Sequence, residues 1–447
     1  MARTIWCEHA VVDDSVHHGV TLTIEGGTFT GVAPHSAPGG GVEQRRGLTL
    51  PGLANAHSHA FHRALRHRTH GDGGTFWSWR EQMYAAAQRL DPDTYFALAR
   101  ATFAEMMCAG FTSVGEFHYL HHQPDGRPYA DPNAMSNAVL AAANDAGLRI
   151  TLLDVIYLHG GLGPDGHQPL AAGQRRFSDG SVERWRGRAE ALRLWPTQRL
   201  GAAVHSVRAV DPAAIAQVAE WADRHQAVLH AHVSEQHAEN DACRSVFGAT
   251  PAEVLDRCGA LGERFTAVHA THLTDADIAL LAGHGASVCL CPTTEADLAD
   301  GIGPAAALHQ AGVALCLGTD SQASIDPFEE ARRAELDQRL RSGYRGTLEV
   351  TALAAMIGPN GHASLGWNDA GRLAPGYRAD LVTVSLDGPR LAGHGRDHLL
   401  AAAMFAAAAG DVSEVTIDGR DVVRAGRHLA IDVASELDTS IRQIMGR

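Results

Sequence analysis

The sequence predicts an α/β fold, a (β/α)8 TIM-like barrel that carries a small β-sandwich domain built from both ends of the chain. Strand-like apolar runs alternate with helical patterns through the middle of the chain, and these runs number eight. Eight βα units are the count that closes a parallel barrel. Short strand-like segments separated by Gly- and Pro-rich turns occupy both chain ends, a texture typical of a small sheet domain.

The first predicted barrel strand precedes His57, after the break at Pro51-Gly52. The seven others cover residues 111–117, 149–157, 201–205, 227–233, 266–270, 286–291 and 314–319. Helical patterns between them cover residues 92–109, 213–224, 251–258 and 275–283. In such a barrel the active-site residues lie where strands end and loops begin, so polar residues at those points are the ones to examine.

The two ends of the chain are predicted to form one domain. Strand-like segments cover residues 20–24, 28–32 and 47–50 at one end, and 379–384 and 412–423 at the other. Strands from both ends of a chain often pair in one sheet. We therefore predict a composite β-sandwich domain of residues 1–51 and 372–447 and a barrel catalytic domain of residues 52–371.

Composition narrows the class of protein. The 447 residues are 45% hydrophobic and 20% charged, as in a soluble globular protein, and the formal net charge is −14. This charge argues against nucleic acid and anionic membrane as partners. The seven cysteines are scattered, and residues 1–8 contain no signal-peptide core, so we expect a cytoplasmic protein. Cys289 and Cys291 are expected to be buried free thiols.

Histidine and lysine content bear on the chemistry. The chain has 27 histidines, and all 37 of its basic residues are arginine. Codon bias is a sufficient explanation for the missing lysine. Its consequence is that neither a Schiff-base lysine nor a carbamylated lysine bridging two metal ions can exist in this protein.

The pair His57 and His59 is the first candidate metal site. Residues two apart in a strand point the same way, so both imidazoles would converge at the end of a buried strand. Neutral imidazole nitrogen is a common zinc ligand. The alternative is a pair of hydrogen-bonded histidines in a polar loop, and further ligands downstream decide between the two.

Ligand-type residues do follow three later strands. The fifth ends in His232 with Glu235 three residues on, the sixth ends at His269, and the eighth ends at Asp320. Three histidines and one aspartate would complete a mononuclear site with room for water. A glutamate close to a metal-binding histidine is placed to handle the proton of that water.

Other residues compete for these roles. His230 would also face the barrel, but only His232 has a glutamate three residues later. His272 lies past its strand and would begin a loop or cap a helix, and Asp326 fits a helix N-cap. We expect a solvated surface cluster for three further histidines, namely His118, His121 and His122.

These motifs resemble the mononuclear deaminase branch of the amidohydrolase superfamily. His57-x-His59, His232-x-x-Glu235, His269 and Asp320 occur in the order of that family, and residues 371–381 resemble the return of its chain to the sandwich domain. The resemblance implies one zinc ion per chain, with another divalent metal such as iron as the alternative. It implies His57, His59, His232 and Asp320 as ligands and Glu235, His269 and Asp320 as catalytic residues.

Four loop segments resemble the deiminases of this superfamily that act on N-formimino-L-glutamate. The segments are residues 76–84, 116–122, 205–210 and 293–304. The resemblance implies hydrolysis of that small dianionic substrate to N-formyl-L-glutamate and ammonia in histidine degradation, with Glu235 as proton shuttle. The residues implied to bind the substrate are His62, Arg80, Tyr119, His205 and Arg208.

The residues themselves support a substrate with two carboxylates. Guanidinium groups bind carboxylates bidentately, and Arg80 and Arg208 occupy loops after the first and fourth strands. The alternatives are a surface Arg80 stacked on Trp77 or Trp79 and an Arg208 paired with a nearby acid. Which arginine would bind which carboxylate stays open.

Two positions depart from the family pattern. The family often has glutamine where this chain has His62, and it commonly has Ser-His where this chain has Ser321-Gln322. We expect these departures to affect contacts with the substrate and not the metal site.

Two other functions are weighed against this one. A deaminase of the same branch with a guanine-, cytosine- or triazine-type substrate would need stacking and amide groups in place of two converging arginines. A catalytically inactive scaffold barrel would have no use for Glu235, His269 and Asp320. We also expect a homodimer.

Overall fold

A computed structural model describes residues 2–69 and 73–446 of the chain. In this part of the chain the strands are β1 (Arg3–Val12), β2 (Ser15–Glu25), β3 (Thr28–Ala33), β4 (Glu43–Pro51), β5 (Leu53–Ser58), β6 (Phe111–His118), β7 (Arg149–Ile156), β8 (Gly161–Gly163), β9 (Gly166–Gln168), β10 (Gln198–Val204), β11 (Leu229–Val233), β12 (Phe265–His269), β13 (Ser287–Leu290), β14 (Ala314–Leu317), β15 (Leu381–Val384), β16 (Val412–Ile417), β17 (Arg420–Arg424) and β18 (Arg427–His428).

The α-helices of the same residues are α1 (Phe76–Ala87), α2 (Pro92–Cys108), α3 (Ala134–Ala146), α4 (Val182–Ala191), α5 (Pro212–Arg224), α6 (His237–Phe247), α7 (Pro251–Arg257), α8 (Asp275–Gly283), α9 (Pro292–Asp297), α10 (Ala305–Gln310), α11 (Pro327–Ser342), α12 (Val350–Ile357), α13 (Pro359–Ser364), α14 (Leu399–Ala406) and α15 (Val433–Met445). Short 3-10 turns cover Ala60–Leu65, Ala172–Phe177, Arg396–His398 and Ala409–Asp411.

Eight parallel strands of the described chain form the barrel, in the order β14-β13-β12-β11-β10-β7-β6-β5. The first and last strands meet through the backbone, where Asp320 N–H donates to His57 O at 3.0 Å and His59 N–H donates to Asp320 O at 3.1 Å. Every one of the eight predicted runs overlaps one of these strands. The predicted (β/α)8 barrel is therefore confirmed.

The four predicted helices of the barrel are observed as α2, α5, α7 and α8. Each begins after a side chain that accepts a hydrogen bond from a free backbone N–H of the first turn, which is the usual way to satisfy that group. The capping residues are Asp91, Asp211, Thr250 and Thr274.

Strands from both chain ends form a second sheet, in the order β18-β17-β16-β15-β4-β1-β2-β3. Its own apolar core includes Ile5, Val20, Leu22, Phe29 and Leu381. Neither β1 nor α15 was predicted. In β1 polar residues interrupt the apolar ones. Helix α15 packs on α2 and on the turn Ala60–Leu65, and it buries Leu437, Ser440 and Ile444. The domain division at residues 51 and 372 stays a proposal.

The apolar run of residues 48–53 is divided between the two sheets. β4 ends at Pro51, β5 begins at Leu53, and His57 lies inside β5 rather than after it. The chain crosses at Gly52, where a Cβ atom would lie 2.3 Å from Thr112 Oγ1 and 2.5 Å from Asp380 Cβ. Only glycine fits so close an approach of backbone and neighbours.

No helix in residues 2–69 and 73–446 is long and apolar enough to cross a membrane. Cys289 and Cys291 are buried free thiols, as expected.

Candidate active site

His57, His59 and Asp320 converge where the barrel closes between β5 and β14. Asp320 Oδ1 lies 3.2 Å from His57 Nε2 and 3.3 Å from His59 Nε2. Gly318 makes this approach possible, because a Cβ atom there would lie 2.7 Å from both the Cβ and the carbonyl oxygen of His57. The two imidazoles point the same way, as residues two apart in an extended segment should.

His232, at the end of β11, completes the cluster. Its Nε2 lies 3.2 Å from His57 Nε2, so at least one of these two nitrogens carries no proton and presents a lone pair. Burial lowers the pKa of His57 to about 3 and that of His232 well below its usual value. Both rings are therefore neutral near pH 7, which is the form that binds a metal.

The donor set fits a divalent metal ion. Ligand atoms of His57, His232, His269 and Asp320 lie within 4.8 Å of one another, and Asp320 also belongs to such a group with His59 and His62. The Nδ1–H of His59 donates to the carbonyl of Phe117 at 2.9 Å, which leaves its Nε2 facing Asp320. Imidazole nitrogens with one carboxylate are typical zinc ligands.

The competing residues lie elsewhere. His230 donates through Nε2 to the carbonyl of Ser364 at 2.9 Å, away from the cluster. His272 packs against the ring of His237, with 3.7 Å between ring centroids. Asp326 is the N-cap of α11 and accepts from the N–H groups of two residues in its first turn.

Glu235 and His269 lie beside the cluster, and both are almost fully buried. His269 Nε2 is 3.6 Å from Glu235 Oε1, and its Nδ1 is 3.4 Å from Glu295 Oε1. Burial alone would lower the pKa of His269, but these two carboxylates outweigh it and hold the pKa well above its usual value. This arrangement favours a protonated imidazole that donates hydrogen bonds.

The backbone at these strand ends is unusual. Ser234, His269 and Asp320 have φ angles of 53°, 68° and 40°, in the left-handed region that non-glycine residues seldom adopt. Such conformations persist only where the surrounding structure imposes them, and they often mark functional sites.

A cavity of about 300 Å³ opens onto the cluster. Of the predicted site residues, all but His57 line it, and they are His59, His62, Arg80, Tyr119, His205, Arg208, His232, Glu235, His269 and Asp320. His62 Nε2 and the Tyr119 hydroxyl share a hydrogen bond of 3.0 Å. The departure at His62 therefore lies in the cavity wall next to another predicted substrate residue.

Both arginines line the cavity and also make the contacts weighed as alternatives. The Arg80 guanidinium lies over the ring of Trp77, 4.5 Å from its centroid. Arg208 reaches Glu235 at 3.4 Å and Glu239 at 3.6 Å. Arg80 makes no ion pair with a carboxylate among residues 2–69 and 73–446, and it lines the cavity.

Gln322, the second departure, does not line the cavity. Its Nε2 donates to Ser58 Oγ at 2.9 Å and to the carbonyl of Asp320 at 3.0 Å. Ser58 in turn donates to Glu116 Oε2 at 2.7 Å. The side chain thus connects β5 with the residues after β14 outside the cavity wall, and the effect of this departure on substrate contacts stays a prediction.

The prediction of a solvated cluster for His118, His121 and His122 is wrong, because all three are buried. His118 ends β6 inside the barrel wall. His121 donates through Nε2 to the carbonyl of Val155 at 2.8 Å, and His122 Nε2 lies 3.0 Å from Asp179. The residue types alone gave no sign of this burial, which depends on contacts with Arg176, Val155 and Asp179, all distant in sequence.

Sequence reasoning missed several polar residues at the cavity or touching its residues. Glu239 follows Glu235 by four residues, a spacing that places two side chains on one side of a helical turn. Glu295 and Tyr84 fall inside segments singled out for their resemblance, without a role of their own. Two more of the missed residues are Tyr157 and Gln174, and no local sequence pattern identifies either of them.

Comparisons with known proteins identify the family of the chain. Residues 48–422 match the model of the Amidohydrolase family. A formimidoylglutamate deiminase of Pseudomonas aeruginosa is 39% identical over 443 residues, 95% of each chain, and a 5-methylthioadenosine/S-adenosylhomocysteine deaminase of Pelotomaculum thermopropionicum is 29% identical over 94% of this chain and 92% of its own. The crystal structure of an amidohydrolase from Brucella melitensis superposes with a TM-score of 0.90 at 32% identity, covering 99% of this chain and 100% of its own. The chain belongs to the amidohydrolase family.

Proposed function

We propose that this protein is a metal-dependent hydrolase that converts N-formimino-L-glutamate and water into N-formyl-L-glutamate and ammonia, a step of histidine degradation. The observation that carries the proposal is one cavity that holds both a metal-type cluster and two arginines. Similarity to the formimidoylglutamate deiminase of Pseudomonas aeruginosa supports it. A substrate with two carboxylates uses both guanidiniums, whereas a neutral purine or triazine ring does not.

We assign His57, His59, His232 and Asp320 as the residues that would hold one divalent ion, with zinc as the proposed ion. When bound there, such an ion lowers the pKa of a water molecule and polarises the bond under attack. The tautomer of His59 and the neutral state of His57 and His232 suit this role.

Glu235 is proposed as the proton shuttle. It lies at the cavity wall next to the cluster, where its carboxylate can take a proton from the attacking water and pass it to the imine nitrogen. A carbon–oxygen bond forms, the carbon–nitrogen bond breaks, and the nitrogen leaves as ammonia while the carbon becomes the carbonyl of a formamide. The N–H of Glu235 donates to Glu239 at 3.2 Å, which fixes the backbone of the shuttle.

His269 and Asp320 are the other proposed catalytic residues. Because the carboxylates of Glu235 and Glu295 favour its protonated form, the His269 ring can donate a hydrogen bond to the oxygen that becomes bonded to the substrate carbon, where charge develops in the tetrahedral intermediate. Asp320 can assist in proton removal from the attacking water as well as hold the ion. Tight packing around both side chains keeps them oriented before the substrate arrives.

The substrate carboxylates are proposed to bind Arg80, Arg208, Tyr119 and His205, with His62 beside them. Arg80 carries a charge that no described acid pairs with, while Arg208 is already near two carboxylates. We further place the enzyme in the cytoplasm, since all seven cysteines are free, and propose a homodimer on the resemblance alone.

The test is an assay of the purified enzyme, loaded with zinc, on N-formimino-L-glutamate, guanine, cytosine and a triazine. Ammonia release from N-formimino-L-glutamate alone is the expected result, with N-formyl-L-glutamate as the second product. Formamide and glutamate as products would indicate a different hydrolase. Ammonia from a ring substrate alone would favour the other deaminases of this branch, and no activity with a loaded site would favour an inactive scaffold.

A further inference from the structure

Three polar side chains at the cavity have no role in the proposed mechanism. Tyr84 and Tyr157 line the cavity that Arg80 and Arg208 also line. Gln174 is buried behind them, and its Nε2 lies 2.9 Å from the Tyr157 hydroxyl and 3.1 Å from the Tyr84 hydroxyl. The direction of these hydrogen bonds decides whether each phenol can donate a hydrogen bond to a ligand or only accept one.

Two backbone groups fix the orientation of the Gln174 amide. The N–H of Ala171, which can only donate, lies 2.8 Å from Gln174 Oε1. The carbonyl of Gly160, which can only accept, lies 3.0 Å from Gln174 Nε2. The NH2 end of the amide therefore faces the phenols, and neither phenol can donate to it. Its two N–H groups are shared among three oxygens, those of the two phenols and of the Gly160 carbonyl.

The phenol protons must then point elsewhere. The hydroxyls of Tyr84 and Tyr157 interact with each other, so one of them can donate to the other. At most one proton is used in this way, and at least one O–H is left to donate into the cavity. Burial keeps the pKa of Tyr157 above its usual value, so this group remains a neutral donor at pH 7.

A carboxylate is a suitable partner for such a donor. The guanidiniums of Arg80 and Arg208 lie near enough for their charges to act on Tyr157. Arg208 also lies near the carboxylates of Glu235 and Glu239, whereas Arg80 has no such contact among the described residues. A carboxylate accepts hydrogen bonds and donates none, so phenol O–H groups and guanidinium N–H groups bind it together. A donor that receives a hydrogen bond from Gln174 is also strengthened by it.

We propose that Tyr84 and Tyr157 are further substrate-binding residues that donate to a carboxylate of the substrate, and that Gln174 is a positioning residue that directs their protons into the cavity. This inference rests on the proposed function, because that function supplies the carboxylate. It adds a neutral pair of donors to the arginines.

The test compares the double variant Tyr84→Phe/Tyr157→Phe with both single variants and with Gln174→Met. We expect KM for N-formimino-L-glutamate to rise by about tenfold or more in the double variant, with kcat within about threefold of wild type. Each single variant should have a smaller effect, since the other phenol can still donate. Gln174→Met should raise KM although both phenols remain, because Gly160 O is then free to accept a phenol proton.

Tyr129→Phe is the matched control, since this phenol is partly buried outside the cavity, and it should leave KM unchanged. Titration calorimetry with N-formyl-L-glutamate gives a second readout, in which the double variant should lose affinity by a similar factor. A KM and an affinity within twofold of wild type in the double variant would overturn the proposal. A wild-type enzyme without turnover would contradict the proposed function instead, and the titration would still test the donor pair.

Discussion

At the scale of single residues, burial prepares the proposed site for its chemistry. A histidine in water is partly protonated near neutral pH, but the surroundings of His57 lower its pKa to about 3. The same burial acts on His269, yet there two carboxylates reverse the outcome and raise the pKa. The two imidazoles thus differ in protonation state. His57 is neutral and suited to bind a metal ion, whereas His269 is suited to donate a hydrogen bond.

Glu235→Gln tests the proton shuttle. The amide keeps the size of the side chain but cannot accept and return a proton, so kcat should fall by about 100- to 10,000-fold. Metal content, measured by atomic emission on the purified variant, should equal that of wild type, because Glu235 is not among the proposed ligands. A variant with near-normal kcat would remove Glu235 from the mechanism.

Arg208→Met tests carboxylate binding. Loss of the guanidinium should raise KM for N-formimino-L-glutamate by about tenfold or more, since a charge-assisted hydrogen bond is among the stronger ones. The exposed Arg257→Met serves as the control and should leave KM unchanged. Should Arg208→Met lose metal instead, the contacts to Glu235 and Glu239 would be its main role.

At the scale of elements, the segment from β5 into the following 3-10 turn depends on one buried acid. Glu116, on β6, accepts from Ser58 Oγ and from the N–H of Ala60, both at 2.7 Å. It thereby holds the residues on either side of His59. Burial raises the pKa of Glu116 to about 7, well above its ordinary value of 4.5.

This shift predicts a pH dependence of stability. Between pH 4.5 and 7 the folded protein keeps the proton of Glu116 while the unfolded chain releases it, so stability from this group falls as pH rises through that window. Glu116→Gln has no such proton. Relative to wild type, its free energy of unfolding should therefore rise by about 3 kcal/mol between pH 4.5 and pH 8.

Urea unfolding of both proteins across this pH range measures the difference. A constant offset between Glu116→Gln and wild type at every pH would show that the carboxyl titrates normally.

At the scale of the whole molecule, a buried ion pair joins the barrel to the sheet of the chain ends. Arg149, on β7, pairs with Asp380, just before β15, and with Asp418, between β16 and β17, at 2.6 Å for the latter. The Arg149 and Asp380 side chains are fully buried. Removing Arg149 would leave Asp380 charged and without solvent.

Arg149→Met should therefore lower the free energy of unfolding by about 3–5 kcal/mol, as measured by denaturant titration. Arg442→Met, which removes an exposed pair with Asp438, is the control and should change it by less than about 1 kcal/mol. An equal loss of unfolding free energy in Arg149→Met and Arg442→Met would mean that the buried pair between the two sheets stabilises the fold no more than an exposed pair does.

Local patterns explain why much of the fold was predictable. Strand alternation and the order of helices and strands depend on residues close in sequence, so all eight barrel strands were found. Whether a ligand-type residue lies at a strand end can also be predicted from its neighbours in sequence. The structure places four such residues together, namely His57, His59, His232 and Asp320. The change from one sheet to the other at Gly52 was harder to predict, because the apolar run of the sequence continues across it.

The sequence by itself determined the barrel, the strand-end residues of the proposed site and the absence of lysine chemistry. Only the tertiary structure decided which side chains meet across the cavity. It buried His118 and its neighbours, turned Gln322 away from the cavity, and placed Gln174 behind two tyrosines. The physical reason is that the periodicity and spacing of residues reflect the geometry of a single helix or strand. Burial and hydrogen-bond direction depend instead on groups that are far apart in the chain.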